Sequence, residues 1–430
     1  MLNSLMNMYH DGNYGEVASV WENEQKTEQF NEWDFIAIAN SFYKLNRYDK
    51  CLEIYKAFKK SFPDSDKLDE KLGWALYHTK VKGFDFEAGN IKQLLRQIDY
   101  IMEHGGNGRY SAKWQTVKFV LKAVDDGKLV TDGNSQLVKK YLDCIDPATL
   151  STEANSVKSQ DGKTHSTSSD KEEWYSKKSK VLLKLNEYDE CIECCDEALR
   201  VLPNFHNNNN GWFMYRKAKS LQALGKNAEA KSYIQHILSL GLTHWCMLQT
   251  MYELERAEGN TEKALSYAGA CAVADREHKM RVKFYPDFAN FLDEVGKHEE
   301  AMLHRRLVSS LRDENEWKQK AYQNGWQFTP EIAKMDGNAV IERLTPFWIE
   351  LRDRFKEYLT GTVQTLLGEG DTGFIEADNG ERYYFNARDF RGNKKEISVG
   401  TRVRFTLADR LDRSKGIVKK NAVEISTWRD

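Results

Sequence analysis

Close to the C-terminus, Phe374, Tyr384 and Asn386 share one face of two short alternating segments, while Ile375, Tyr383 and Phe385 share the other. Aromatic rings on an outward face can stack planar ligands, an interaction worth ~1–3 kcal/mol for each nucleobase held. Four cations follow, Arg388, Arg391, Lys394 and Lys395, types that suit contacts to phosphate. A charge run is equally the composition of a solvated face. Other chemically capable clusters lead elsewhere. Cys191, Cys194 and Cys195, with His206 downstream, are metal-ligand types, yet a tetrahedral site needs four converging ligands. Cys191 and Cys195 stand one helical turn apart at positions expected to be buried, so small buried hydrophobes are expected and no metal. His304, Arg305 and Arg306 have no Gly-rich phosphate loop, nucleophile elbow or H-E-x-x-H beside them. Packing or solvated roles are expected for them, with no catalytic residue and no cofactor.

The elements that must position the aromatic face are short. After Gly361 the chain runs in alternating segments at 361–366, 373–376, 382–386, 401–407 and 415–425, punctuated by Asp378-Asn379-Gly380 and Arg391-Gly392-Asn393. Five strands in so short a span predict a small closed barrel. The order G-T-V (361–363), G-F-I (373–375), Y-Y-F-N (383–386) and G-T-R-V-R-F (400–405) resembles a cold-shock domain, an oligonucleotide-binding barrel. That resemblance covers Thr360 to about Ile425. It implies that the second and third strands carry the ribonucleoprotein motifs, and that the partner is single-stranded RNA or DNA. The chain departs from the family at Thr365, where a tryptophan is usual, at Gly370 and Thr372, and at Asn386-Ala387, where histidine and phenylalanine are usual. Two platforms remain, Phe374 and Tyr384, which implies micromolar rather than nanomolar binding. A barrel of this kind reused for docking protein stays open.

The rest of the chain repeats. The octapeptide K-L-N-R-Y-D-K-C at 44–51 returns as K-L-N-E-Y-D-E-C at 184–191. Around the first copy, Phe35, Ile38, Ala39 and Phe42 have helical spacing, Asn46 marks a turn, Tyr48, Cys51, Tyr55 and Phe58 lie on a second helix, and Pro63 ends it. This is the tetratricopeptide pattern over Trp33 to Pro63. Glu172 to Pro203 repeats it. Further hairpins turn at Gly225, Gly259 and Gly296, with small crossing residues Ala230, Ala264 and Ala301. A degraded unit is read to about His104, helices at 110–126 and 134–145, and a long capping helix from Ile341 to Tyr358. The first helix of each hairpin lines an inner face, which here would present Lys180, Lys184, Trp212, Tyr215 and Lys219. Cations among aromatics suit an acidic peptide, a C-terminal carboxylate or a nucleic-acid strand. The same face reads equally as soluble surface.

These signals predict a mainly α fold: tetratricopeptide-like helical repeats over 1–146 and 172–359, a flexible Ser/Thr-rich insertion over 147–171, and a five-stranded barrel over 360–430. Lys plus Arg number 63 against 65 acidic residues. From Thr360 onward there are 13 against 11, so a single strand would not be held by bulk charge alone. Seven cysteines without framework spacing fit a reducing cytoplasm. No run approaches the ~20 apolar residues that span a bilayer, and the N-terminus lacks the basic leader of a signal peptide. From W-Y-S-K-K-S-K (174–180) through F-H-N-N-N-N-G-W-F (205–213) to the tail, the chain resembles a bacterial family of tetratricopeptide proteins ending in a cold-shock-like domain. The resemblance implies an accessory role in prokaryotic conflict or defence loci, with no catalytic residues. The expected molecule is a non-enzymatic adaptor with a protein or peptide partner on its repeats and single-stranded RNA or DNA on its barrel. A pure protein scaffold is the alternative.

Overall fold

The computed structural model describes residues 4–24, 30–108, 110–159, 161–368, 370–391, 396–412 and 417–428. It divides into two compact units, Met1–Arg216 and Lys217–Asp430.

The first unit is built from α1 (Ser4–His10), α2 (Tyr14–Glu24), α3 (Glu32–Lys44), α4 (Tyr48–Ser61), α5 (Asp69–Leu76), α6 (Ile91–His104), α7 (Ala112–Asp125), α8 (Asn134–Asp143), α9 (Asp170–Lys184), α10 (Tyr188–Val201) and most of α11 (Asn209–Ala223). The repeated octapeptide folds the same way twice. Asn46 and Asn186 both take the left-handed backbone conformation, with φ of 58° and 62°. Arg47 N–H donates to the Phe42 carbonyl, and Glu187 N–H to that of Leu182. These six-to-one bonds close the helix C-terminus in a Schellman motif, which needs glycine or asparagine at the turn. The side chains follow suit. Tyr48 and Tyr188 donate to Asn46 and Asn186 at 2.7 and 2.8 Å, and the Cys51 and Cys191 thiols donate to the Ala39 and Ser179 carbonyls at 3.4 and 3.3 Å. The hairpin α1–α2, absent from the sequence reading, turns on Gly12 with the same bond from Asn13 N–H to Met8. Five residues after each of these turns stand Val17, Cys51 and Cys191, all buried where the paired helices cross.

The segment 147–171, expected as a flexible insertion without regular structure, pairs as an antiparallel hairpin of β1 (Ala154–Lys158) and β2 (Thr164–Ser169). Its Ser, Thr and Val suit extended backbone, and Asn155 ties it by donating to the Ser168 carbonyl. Nor does it separate two helical halves. Leu142, Ile145, Leu150, Trp174 and Tyr175 share one core, and the Trp174 indole donates to the Leu142 carbonyl at 3.0 Å.

In the second unit, α12 (Asn227–Ser239), α13 (Trp245–Ala257), α14 (Thr261–Val273), α15 (Phe284–Glu294), α16 (His298–Glu314), α17 (Pro330–Ala333) and α18 (Gly337–Asp353) precede the strands. Gly225, Gly259 and Gly296 occupy the Asn46 position with φ of 76–79°, and Ala230, Ala264 and Ala301 the Cys51 position, each fully buried. The capping helix, expected over Ile341 to Tyr358, begins at Gly337 and stops at Asp353. Asp336 caps its start, accepting from Ala339 N–H. Tyr358 leaves the helix to lie against Arg404, whose guanidinium is 3.7 Å from the ring centroid. Gly269 permits α14 and α18 to touch, since a Cβ there would meet the Trp348 carbonyl oxygen at 2.6 Å.

His304 on α16 is wholly buried, donating from Nδ1 to the Glu300 carbonyl at 2.6 Å and accepting the Trp348 indole N–H at Nε2 at 2.8 Å. Both nitrogens are used by the neutral ring, and burial lowers its pKa to about 4. The unfolded chain takes up a proton below about pH 6.5 that the folded ring refuses until about pH 4. This contribution to stability is therefore complete above pH 6.5 and is lost as pH falls toward 4, by about 1.4 kcal/mol per pH unit. Denaturant titrations across that range should show the loss, and His304→Gln should make the profile less steep, leaving the share of His278, whose pKa burial also lowers to about 4. A wild-type profile no steeper than the variant's would count against this account.

Strands β3 (Leu359–Leu367), β4 (Thr372–Ala377), β5 (Arg382–Asn386), β6 (Arg402–Asp412) and β7 (Ile417–Thr427) close a barrel in the order β3-β4-β5-β7-β6. β5 and β7 pair in parallel and the other neighbours antiparallel. Val363, Ile375, Phe385, Val403, Phe405 and Ile425 fill the interior. Gly361 and Gly373 let strands approach closely, because a Cβ on either would fall within 2.5 Å of a neighbouring carbonyl oxygen.

Candidate nucleic-acid interface and peptide groove

Phe374 and Tyr384 are directly opposite each other on β4 and β5. Both are half-buried and outward, while Ile375, Tyr383 and Phe385 point into the barrel. Their rings meet edge to face at 5.6 Å and 71°. The Arg382 guanidinium stands 5.5 Å from the Phe374 ring centroid. Arg382 joins the two expected aromatics, since its parity with Tyr384 puts it on the same face. Thr365 is the β3 partner of Phe374.

The polar residues beside this face are already engaged. Asn386 Oδ1 accepts from the backbone N–H of Arg388 at 2.9 Å, capping a short turn of 3-10 helix, and from its guanidinium Nε at 3.3 Å. Arg391 pairs with Glu424 at 2.9 Å, and Lys356 reaches the same carboxylate at 2.5 Å. Glu424 has φ of 52°, at an irregularity in the β6–β7 ladder. A phosphate contact by Arg391 therefore competes with an internal carboxylate. Lys394 and Lys395 lie outside the described residues.

The expected groove residues are brought together only in part. Lys180 and Lys184 are exposed on α9 and border one cleft. Trp212 and Tyr215 meet edge to face on α11 at 5.8 Å. Lys219 belongs to the second unit, where its ammonium pairs with Glu253 at 2.9 Å and donates to Gln222 at 2.6 Å. The sequence places it among the groove residues. The helix pattern exposed its parity but not its carboxylate partner, which comes from the next hairpin.

Cys194 and Cys195 lie beside Cys191 in the core under α9, and burial pushes the Cys194 thiol up to about 12. His206 is tied to the Asn207 side-chain amide at 2.8 Å. Among the described residues, no three His, Cys, Asp or Glu side chains gather as a metal ion would require. Nor is any helix long and apolar enough to cross a membrane.

Residues 37–65 match the tetratricopeptide repeat family. That span holds most of α3, the Asn46 turn and α4. No curated protein matches the chain. Solved structures that this chain is similar to include MamA from Desulfovibrio magneticus RS-1, from residue 41 onward, at 13% identity, over 47% of this chain and 96% of that one, with a TM-score of 0.33. A monomeric mutant of IFIT1 with Gppp-AAAA has 13% identity over 81% of this chain and 77% of that one, with a TM-score of 0.34. The tetratricopeptide domain of P58(IPK) has 13% identity over 83% and 92%, with a TM-score of 0.20. The helical hairpins, the repeat match over 37–65 and the closed sheet make the fold mainly α, a tetratricopeptide-like solenoid followed by a closed five-stranded β-barrel.

Proposed function

We propose that this chain is a cytoplasmic, non-enzymatic adaptor whose helical repeats dock a protein while its barrel holds single-stranded RNA or DNA. The observation that carries the nucleic-acid half is the outward pair Phe374–Tyr384 with Arg382 beside it. Two half-exposed rings and a cation on one sheet face offer stacking to any base, without requiring a sequence. The protein-docking half rests on the repeat hairpins within each unit, whose inner helices offer a face to a partner. An accessory role in a prokaryotic defence locus, implied by the sequence resemblance, belongs to the same proposal.

A second reading is favoured by the engaged neighbours of that face. Asn386 and Arg388 bond to each other and Arg391 pairs with Glu424, as in a barrel kept for protein contacts. Anisotropy titration of the full-length protein with labelled single-stranded RNA, single-stranded DNA and duplex, each at two salt concentrations, separates the readings. The adaptor should bind single strands in the micromolar range and duplex more weakly. Its salt slope should be shallow, about −0.7 for each phosphate contacted. Failure to bind either single strand would leave the pure scaffold.

A further inference from the structure

We propose that the cleft bounded by α7, α8 and α9 in the first unit docks an acidic peptide that inserts one aliphatic side chain. This rests on the reading of the repeats as a protein-docking surface and names the chemistry of the partner and the place where it binds.

The cleft has a volume of about 120 Å³, and Leu121, Val124, Val138 and Val181 form its apolar walls. That is room for a branched aliphatic side chain, and burying one there would remove apolar surface from water on both partners.

The charges at its rim select the partner. Lys177, Lys180 and Lys184 stand on the same side of α9. Lys177 is neutralised by Asp125 at 2.6 Å. The Asn134 side chain is spent within its own loop, accepting from Thr131 N–H and Oγ1–H and donating to the Leu129 carbonyl. Lys180 and Lys184 are exposed, and neither has a carboxylate partner among the described residues. One apolar socket beside two unpaired cations one helical turn apart is complementary to an aliphatic residue with Asp or Glu close to it in sequence. A basic peptide would be repelled, and an uncharged one would leave both cations without a counter-charge.

The test is selection of a random displayed peptide library on the full-length protein. Saturating single-stranded oligonucleotide is included so that the barrel contributes nothing. Recovered sequences should place Leu, Ile or Val beside Asp or Glu. A synthetic peptide of that pattern should bind about tenfold more weakly to Lys180→Glu/Lys184→Glu, with Lys180→Gln/Lys184→Gln between the two. Ser135→Phe, which fills the mouth of the cleft without altering charge, should weaken it as well, and circular dichroism should show all three variants folded. Selected peptides without acidic residues, or binding undiminished in both the charge-reversed and the filled variants, would overturn this site while leaving the repeats as a docking surface elsewhere. Recovery of no peptide at all would overturn both.

Discussion

Phe374→Ala combined with Tyr384→Ala is expected to weaken single-strand binding by the full-length protein about 30-fold or more. Each ring can stack one base at ~1–3 kcal/mol, so losing two removes at least about 2 kcal/mol. The same substitution deletes a cross-strand aromatic pair, which costs the barrel ~0.5–1.5 kcal/mol of stability. That cost is small beside the binding loss because both rings face outward, while Ile375, Tyr383 and Phe385 keep the interior filled. Thermal unfolding of the variant should therefore remain cooperative. Arg382→Ala should weaken binding less, since it removes one cation and leaves both rings. Unaltered affinity in the double alanine variant, with the barrel folded, would sink the stacking mechanism and favour the scaffold reading.

Trp348→Ala should be the most damaging single change in the second unit, costing ~3–5 kcal/mol. The indole is fully buried among α14, α16 and α18 and stacks on Tyr285 at 6.0 Å and 15°. Its removal leaves a large cavity and strips His304 Nε2 of its donor, so an unpaired acceptor remains in an apolar core. Gly269 lets α14 approach the backbone of Trp348, so these helices cannot close over the void without a clash. Trp348→Phe separates the two causes: the ring volume is mostly kept and the hydrogen bond is lost, so the cost should fall to ~1–3 kcal/mol. Chemical denaturation followed by circular dichroism gives both values. A loss under about 1 kcal/mol for Trp348→Ala would mean that the core relaxes around the deletion.

Much of this architecture was legible because it is local. The turn residues Asn46, Asn186, Gly225, Gly259 and Gly296 announce themselves, since a left-handed helix end accepts little else. The residue five positions on is small and apolar for an equally local reason: two antiparallel helices joined by such a turn cross there. Alternation alone placed Phe374, Tyr384 and Asn386 outward and Phe385 inward, because strand parity is a property of the backbone. It would have placed Arg382 as well. The turn at Gly12 shows the limit of the pattern, since α1 is too short for its periodicity to stand out.

What tertiary structure alone decided is partnership, which sequence spacing does not encode. Lys180, Lys184 and Lys219 look alike in the chain, yet Glu253 neutralises only the last, from a helix that folding brings alongside. Arg391 reads as a free cation until β7 delivers Glu424 to it. The Ser/Thr-rich stretch 147–171 reads as irregular because its composition cannot bury a core, but backbone pairing between β1 and β2 needs no core of its own when α8 and α9 hold both ends of the excursion. Helical and strand periods are set within a few residues, whereas ion pairs, sockets and excursions are set by residues tens of positions apart. The repeats and the barrel face were therefore written in the sequence, and the cleft with its two exposed lysines was decided only when α7, α8 and α9 came together.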